Sequence, residues 1–291
     1  MIYNKISGNN SSSRHGGISM PAAYAHNRFG QDCISLMPDK LKALCLSECA
    51  LFNYGVHGPD ILFYYHPLIS NEINRFGSEL HHCTGKIFFE PCPDICRFYS
   101  GKSAMLAYLL GFLAHFALDS SCHSYINTLA NESPFSHNLI ESQFDAYLMR
   151  LDGHAPLRID RSKTLQPSHR TAEVIARFFP FREEQIFEAI KGQKKTLHLF
   201  YSPDEYKKKL IQNLIRKLRI SGSFEDLFLD AEELPACSES NEKLSEMYAE
   251  ALSLYPLLMR SLIRYLRGNK DLLPYFDHDF EGNDRSVAET I

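Results

Sequence analysis

His115, Asp119 and His123 recur at i, i+4 and i+8 in the segment GFLAHFALDSSCHSYI, so they start on one face of one helix. His115 and Asp119 stand inside an apolar stretch, where a carboxylate and an imidazole are costly unless paired or coordinated. Two chemistries meet that demand. A His–Asp hydrogen bond at i, i+4 satisfies both groups without a metal, whereas a divalent ion satisfies both and recruits His123 as well. His137 and Glu141, in SPFSHNLIESQFDAYL, form another i, i+4 pair after a short loop, a second candidate ligand set facing the first. Asp145 continues that row and reads as a supporting acid or a surface residue rather than a ligand.

Upstream, RFGSELHHCTGKIFF contains the doublet His81-His82. Adjacent helical residues diverge by about 100°, so one of the two faces such a site; His81 is preferred and His82 is the alternative. Asp60, in an HGPD loop, can bring a carboxylate from outside the helices, and His26 in PAAYAHNRFG is a further candidate. His57 reads as a loop residue or a donor to a ligand, and His66 as an ordinary, partly exposed histidine. Eight of the 13 histidines fall within residues 26–137, so the crowding is local. A histidine and carboxylate set that needs no cysteine favours zinc in a hydrolytic site over a cysteine-rich structural one. Several carboxylates also offset the charge of more than one divalent ion. Cys92-Pro-Asp-Ile-Cys96 alone lacks the four ligands of a structural site, and the eight cysteines read as free thiols.

The elements that must position these residues are helical nearly throughout. Apolar spacing predicts helices from Pro38-Asp39 to about Tyr54, over Ser70–Phe89, over Lys102–Ser124 and over Pro134–Leu151, with Pro91 and Pro93 ending the second. The helix at Lys102–Ser124 is apolar nearly all round and therefore central. Its apolar run, Ala104–Leu118, is shorter than the roughly 20 residues of a membrane span. Further helices are expected near Ser168–Phe179, Arg182–Leu199, Pro203–Ile220 and Glu239–Arg267. Residues 1–19, polar and rich in Gly, Ser and Asn, read as a disordered leader; residues 20–274 as a single all-α domain; residues 275–291 as an acidic tail. The start has no apolar signal region, so a cytoplasmic location is expected, with secretion by another route still open. The net charge of −4 and pI of about 6.4 give no basic field for nucleic acid, and runs such as Lys207-Lys208-Lys209 read as solvated helix faces.

Taken in order, AHNRFG, GPDILFYY, ELHH, HFALDSSCH and HNLIE resemble the zinc-dependent phospholipase C family, which shares its helical fold with fungal single-strand-specific nucleases. The resemblance covers roughly Met20–Leu151. It implies a helical bundle with a metal cleft between helices and two or three zinc ions. By that resemblance the first zinc takes Asp60, His81, His115 and Asp119, the second takes His123, His137 and Glu141, and the third shares Asp119 and takes His26. It implies a phosphoric diester hydrolase acting on a phospholipid or another phosphodiester, in which Asp60 serves as ligand and catalytic proton acceptor. A single-strand-specific nuclease and a non-catalytic zinc-stabilised helical protein are the alternatives.

The sequence departs from the secreted members of that family. The stretch between Asp119 and His123 is shorter, as in a bacterial branch, and Ile61 follows Asp60 where choline-type members carry tyrosine. In secreted members an N-terminal tryptophan completes the third zinc; here there is no tryptophan, and 25 residues precede His26. A start or cleavage at Met20 would free Pro21, five residues before His26, to supply an amine instead. With the leader retained, two zincs are expected. Phe63, Tyr64 and Tyr65 either rim the site or pack the loop onto the core.

Overall fold

The computed structural model describes residues 23–217, 226–268 and 271–286. Residues 1–19, with Met20 and Pro21, lie outside the described residues. Among those described there are twelve α-helices and no strand. In chain order the helices are α1 Ala23–Ser35, α2 Asp39–Ser47, α3 Cys49–Gly55, α4 Glu72–His81, α5 Gly85–Phe89, α6 Cys92–Phe98, α7 Lys102–Glu132, α8 His137–Leu151, α9 His169–Ala176, α10 Glu183–Phe200, α11 Glu205–Lys217 and α12 Ser238–Leu266. A 3-10 helix spans Gly58–Tyr64 and another Pro274–Asp277.

Helix α7 is the axis of the bundle. It is buried on every side from Ala107 to Ser120, and α1, α3, α8 and α12 pack around it. By length and composition alone it could cross a membrane, but it is enclosed by the other helices. Each large apolar side chain it buries contributes about 1.5–3 kcal/mol. With no tryptophan, the bulk comes from phenylalanine and tyrosine: Phe88 stacks on Phe112 at 3.6 Å, and Phe116 on Phe276 at 5.6 Å. The closest crossing is α3 on α7. Gly55 and Gly111 have no side chain to hold the backbones apart; a Cβ on Gly55 would meet the Tyr108 carbonyl oxygen at 2.3 Å, and one on Gly111 the Phe52 carbonyl oxygen at 2.3 Å.

Several elements differ from the periodic pattern, each for a local reason. The helix expected to run to Tyr54 divides at Glu48, and the one expected over Ser70–Phe89 divides at His82–Thr84, where the chain turns before α5. Helix α5 ends at Phe89, as expected ahead of Pro91 and Pro93, and the same prolines stand at the start of α6, where proline in a first turn removes only an amide that has no partner anyway. Helix α7 runs on to Glu132. Ser136, rather than Ser133, caps α8: its hydroxyl accepts from the Leu139 amide. The stretch read as an acidic tail packs inward. Phe276 and Phe280 are fully buried, the Phe280 amide donates to the His81 carbonyl at 3.0 Å, and the Gly85 amide donates to the His278 carbonyl at 2.9 Å. We refer to residues 271–286 as the C-terminal strap.

Gly55→Ala forces α3 away from α7 at its tightest point. An expected loss of about 1–3 kcal/mol in unfolding free energy is read by urea denaturation of the metal-free protein.

Candidate metal centre

Asp119 places one carboxylate among four imidazoles. Its Oδ2 lies 2.8 Å from His115 Nε2, one helical turn earlier, and 3.9 Å from His81 Nε2. Its Oδ1 lies 3.2 Å from His26 Nε2 on α1 and 3.6 Å from His123 Nε2, one turn later. Asp60, from the 3-10 helix, approaches His81 Nε2 at 2.9 Å with Oδ1 and His115 Nδ1 at 3.7 Å with Oδ2. Glu141 Oε1 stands 3.4 Å from both His123 Nε2 and His137 Nε2. The eight candidate residues thus form three groups able to hold a metal ion: Asp60, His81 and His115; His26, His115 and Asp119; His123, His137 and Glu141. The first two groups share His115, and Asp119 reaches toward the third.

The local fold explains this convergence. Asn71 caps α4 by accepting from the Asn74 amide, and ten residues on the same helix delivers His81 inward while His82 remains exposed. His81 Nδ1 donates to the Gly77 carbonyl at 2.7 Å, which leaves Nε2 for the site. Gly58 has φ +48°, and a Cβ there would lie 2.2 Å from the His115 ring. Glycine at that position lets the segment bearing Asp60 lie directly against His115. The start of α1 is held by Asp145, whose carboxylate accepts from the Tyr24 and Ala25 amides at 3.0 and 2.8 Å and from Arg161 Nη1 at 3.2 Å. His26 follows at once and stacks on the His115 ring at 4.6 Å.

The donor set fits zinc. Nitrogen and oxygen ligands about 2.1 Å from a tetrahedral ion are roughly 3.4 Å apart, and the separations here run from 2.8 to 3.9 Å. Both Asp119 oxygens, both His115 nitrogens, Asp60 Oδ2 and Glu141 Oε2 are buried and make no hydrogen bond. The close approaches lack hydrogen-bond directionality, so a cation is what satisfies them.

The electrostatics describe a site that holds protons when it holds no metal. Burial disfavours the charged imidazole of His81, yet Asp60 beside it outweighs this and raises its pKa to about 9. Burial likewise opposes charge on His26 and His123, and Asp119 pushes both upward. Burial alone would raise the carboxyls; the His115 and His123 imidazoles hold Asp119 well below the carboxylate range, and His137 with His123 holds Glu141 at about 2. His57 is buried beyond this ring, and burial keeps it neutral, far below its ordinary value.

Beside the metal groups lies a small crevice, with room for about one water, lined by His26, Asp119, His123 and Glu141 together with Leu118, Ile126, Phe144 and Leu244. A family model described as zinc-dependent phospholipase C matches residues 25–219, about two thirds of the chain. The chain belongs to the zinc-dependent phospholipase C family. Searches of curated proteins and of solved structures each gave no match.

Of the two alternatives for Phe63 and Tyr64 the structure takes packing, whereas Phe280 has no counterpart in the sequence pattern. Phe63 stacks on His81 at 5.5 Å, while Tyr64 packs inward against Phe200, Ile211 and Ile215; neither forms an outer rim. Phe280 closes the inner side, 5.6 Å from the His81 ring and 5.9 Å from the His115 ring. Its signal was absent from periodicity, because the strap is irregular. His66 is well exposed and pairs with Glu188 at 3.3 Å.

Two outcomes follow. The His81 pKa of about 9 lies above its ordinary 6.5, so the His81–Asp60 ion pair stabilises the metal-free protein fully below pH 6.5, and that contribution disappears as pH rises through 9. Zinc must displace the same proton. Apparent zinc affinity should therefore rise at least about tenfold per pH unit between those values, read by competition with a chromophoric chelator; a flat profile contradicts the proton-loaded site. Gly58→Ala, which drives a methyl group into the His115 ring, should lower the zinc bound per chain in atomic emission while leaving the helical circular dichroism unchanged.

Proposed function

We propose that the protein hydrolyses a phosphodiester of the phospholipid class, releasing a diacylglycerol-like alcohol and a phosphorylated head group, with two or three zinc ions at this centre. The observation that carries this reading is that two adjoining ligand groups share His115 while Asp119 of one reaches His123 of the third at 3.6 Å, so that ion sites would lie side by side among buried groups. When bound, zinc supplies Lewis-acid charge for the phosphate oxygens and makes water acidic enough to act near neutral pH.

The chain's own residues do the rest. Asp60 Oδ1 is engaged by His81, while Oδ2 is buried without a hydrogen bond and is available to take the proton of the attacking water. His81 is held with its proton on Nδ1 by the Gly77 carbonyl, which leaves its Nε2 lone pair for zinc beside Asp60. Leu118, Ile126, Phe144 and Leu244 line the small crevice beside these ligands and keep that side of the centre apolar. Asp119 and Glu141, both buried, offset the positive charge brought by the metals.

Hydrolysis of phospholipid vesicles, of a chromogenic phosphodiester and of single-stranded DNA, each with and without chelator, tests the assignment. Chelator-sensitive release of phosphorylated head group is expected. His115→Ala should lose zinc and hydrolysis together, His66→Ala neither, and Asp60→Asn should lower turnover by about 10²–10⁴-fold. A zinc-loaded protein that cleaves none of the three substrates would leave zinc a purely structural part here.

A further inference from the structure

His123 and His137 both present Nε2 to Glu141 Oε1, at 3.4 Å each, so their Nδ1 atoms are turned away from the ion position. What each Nδ1 meets sets the tautomer and angle of the imidazole. His137 Nδ1 donates to Asn127 Oδ1 at 3.0 Å. Asn127 in turn donates through Nδ2 to Glu281 Oε2. The same Glu281 oxygen lies 3.9 Å from His123 Nδ1, a buried nitrogen with no hydrogen-bond partner. At that distance the carboxylate acts on His123 as a counter-charge rather than through a full hydrogen bond.

One carboxylate thus stands behind two imidazoles of one ligand group, directly for His123 and through an amide for His137. The placement of Glu281 is not left to a free side chain. The strap that carries it is pinned on both sides, by the Phe280 amide on the His81 carbonyl and by the His278 carbonyl on the Gly85 amide. Phe276, stacked on Phe116, seats it in the core. Glu281 lies outside the residues that the family model matches, 25–219.

We infer that Glu281 is a positioning residue for the ion held by His123, His137 and Glu141, and that the C-terminal strap is part of the metal centre. It keeps the proton of both imidazoles on Nδ1, which reserves both Nε2 lone pairs for zinc. This rests on the zinc reading of the site and is independent of which bond is hydrolysed.

The full-length protein, zinc-loaded, is compared with Glu281→Gln and Asn127→Leu by chelator competition and by NMR of ¹⁵N-labelled histidine. Glu281→Gln should weaken one zinc per chain by about 10–100-fold, leave the other zinc unchanged and leave the melting temperature of the metal-free protein where it was. The ¹⁵N signal of the Nδ1–H tautomer of His123 should be lost in Glu281→Gln while that of His137 persists; Asn127→Leu should remove the His137 signal alone. Wild-type zinc affinity in Glu281→Gln overturns the inference. So does a loss of affinity matched by a loss of stability in the metal-free protein, with both Nδ1–H signals intact. A wild-type chain that takes up no zinc overturns the metal reading itself, a result distinct from a zinc-loaded wild type indifferent to Glu281.

Discussion

The carboxylate of Asp119 lies at the heart of an apolar helix, and that is the constraint the rest of the molecule answers. A buried carboxylate without compensation is driven to protonate, at a cost to folding. Here both its oxygens are turned toward imidazoles from α1, α4 and two further turns of α7. Three elements are therefore bound to one point. The imidazoles and the carboxylate in the buried part of α7 are those of His115, Asp119 and His123, a single stripe that meets complementary groups on its neighbours.

Several side chains of the centre are also supported from behind. Gly77 holds His81 through its carbonyl, Asn127 holds His137, and the bare backbone of Gly58 lets Asp60 come up against His115. For His26 the support is one step further out: Asp145 anchors the first turn of α1, so the ring enters at a set depth. Rigid support of this kind is what lets donors sit at ligand spacing before an ion arrives, since the helices carry the geometry rather than mobile loops. The strap completes the arrangement by covering the inner side with Phe280.

Much of this was legible in the sequence because helical spacing is a local property. His115, Asp119 and His123 declare a shared face at four-residue intervals, and the same rule separates His81, which is buried, from His82, which is exposed. The all-α class follows from the same periodicity. Helix ends were harder, since the choice between Ser133 and Ser136 as a cap depends on where the preceding helix stops. The strap was illegible for a deeper reason. Its residues are acidic and aperiodic, and its burial depends on Phe276 and Phe280 finding pockets made by α5 and α7, far away in sequence. Asp145 shows the intermediate case: its place in the row with His137 and Glu141 was visible, but its service to the amides of Tyr24 and Ala25 is a tertiary fact.

A purely protonic account of the cluster is self-consistent in charge, since raised imidazole pKa values can balance depressed carboxylates. Its weakness is directional. Hydrogen-bonded ion pairs require the proton to point at a lone pair, and the nitrogens of His115 and the oxygens of Asp119 lack that alignment despite their proximity. A metal ion needs only lone pairs converging on a point, which is the arrangement present. The number of donors then bears on what the metal does. Structural zinc sites close their tetrahedron with four protein ligands, whereas catalytic sites keep a position open. Each group here offers three residues, and two of the groups draw on the same His115. An open position is what the hydrolase reading calls for, because water and substrate would have to enter the coordination sphere together.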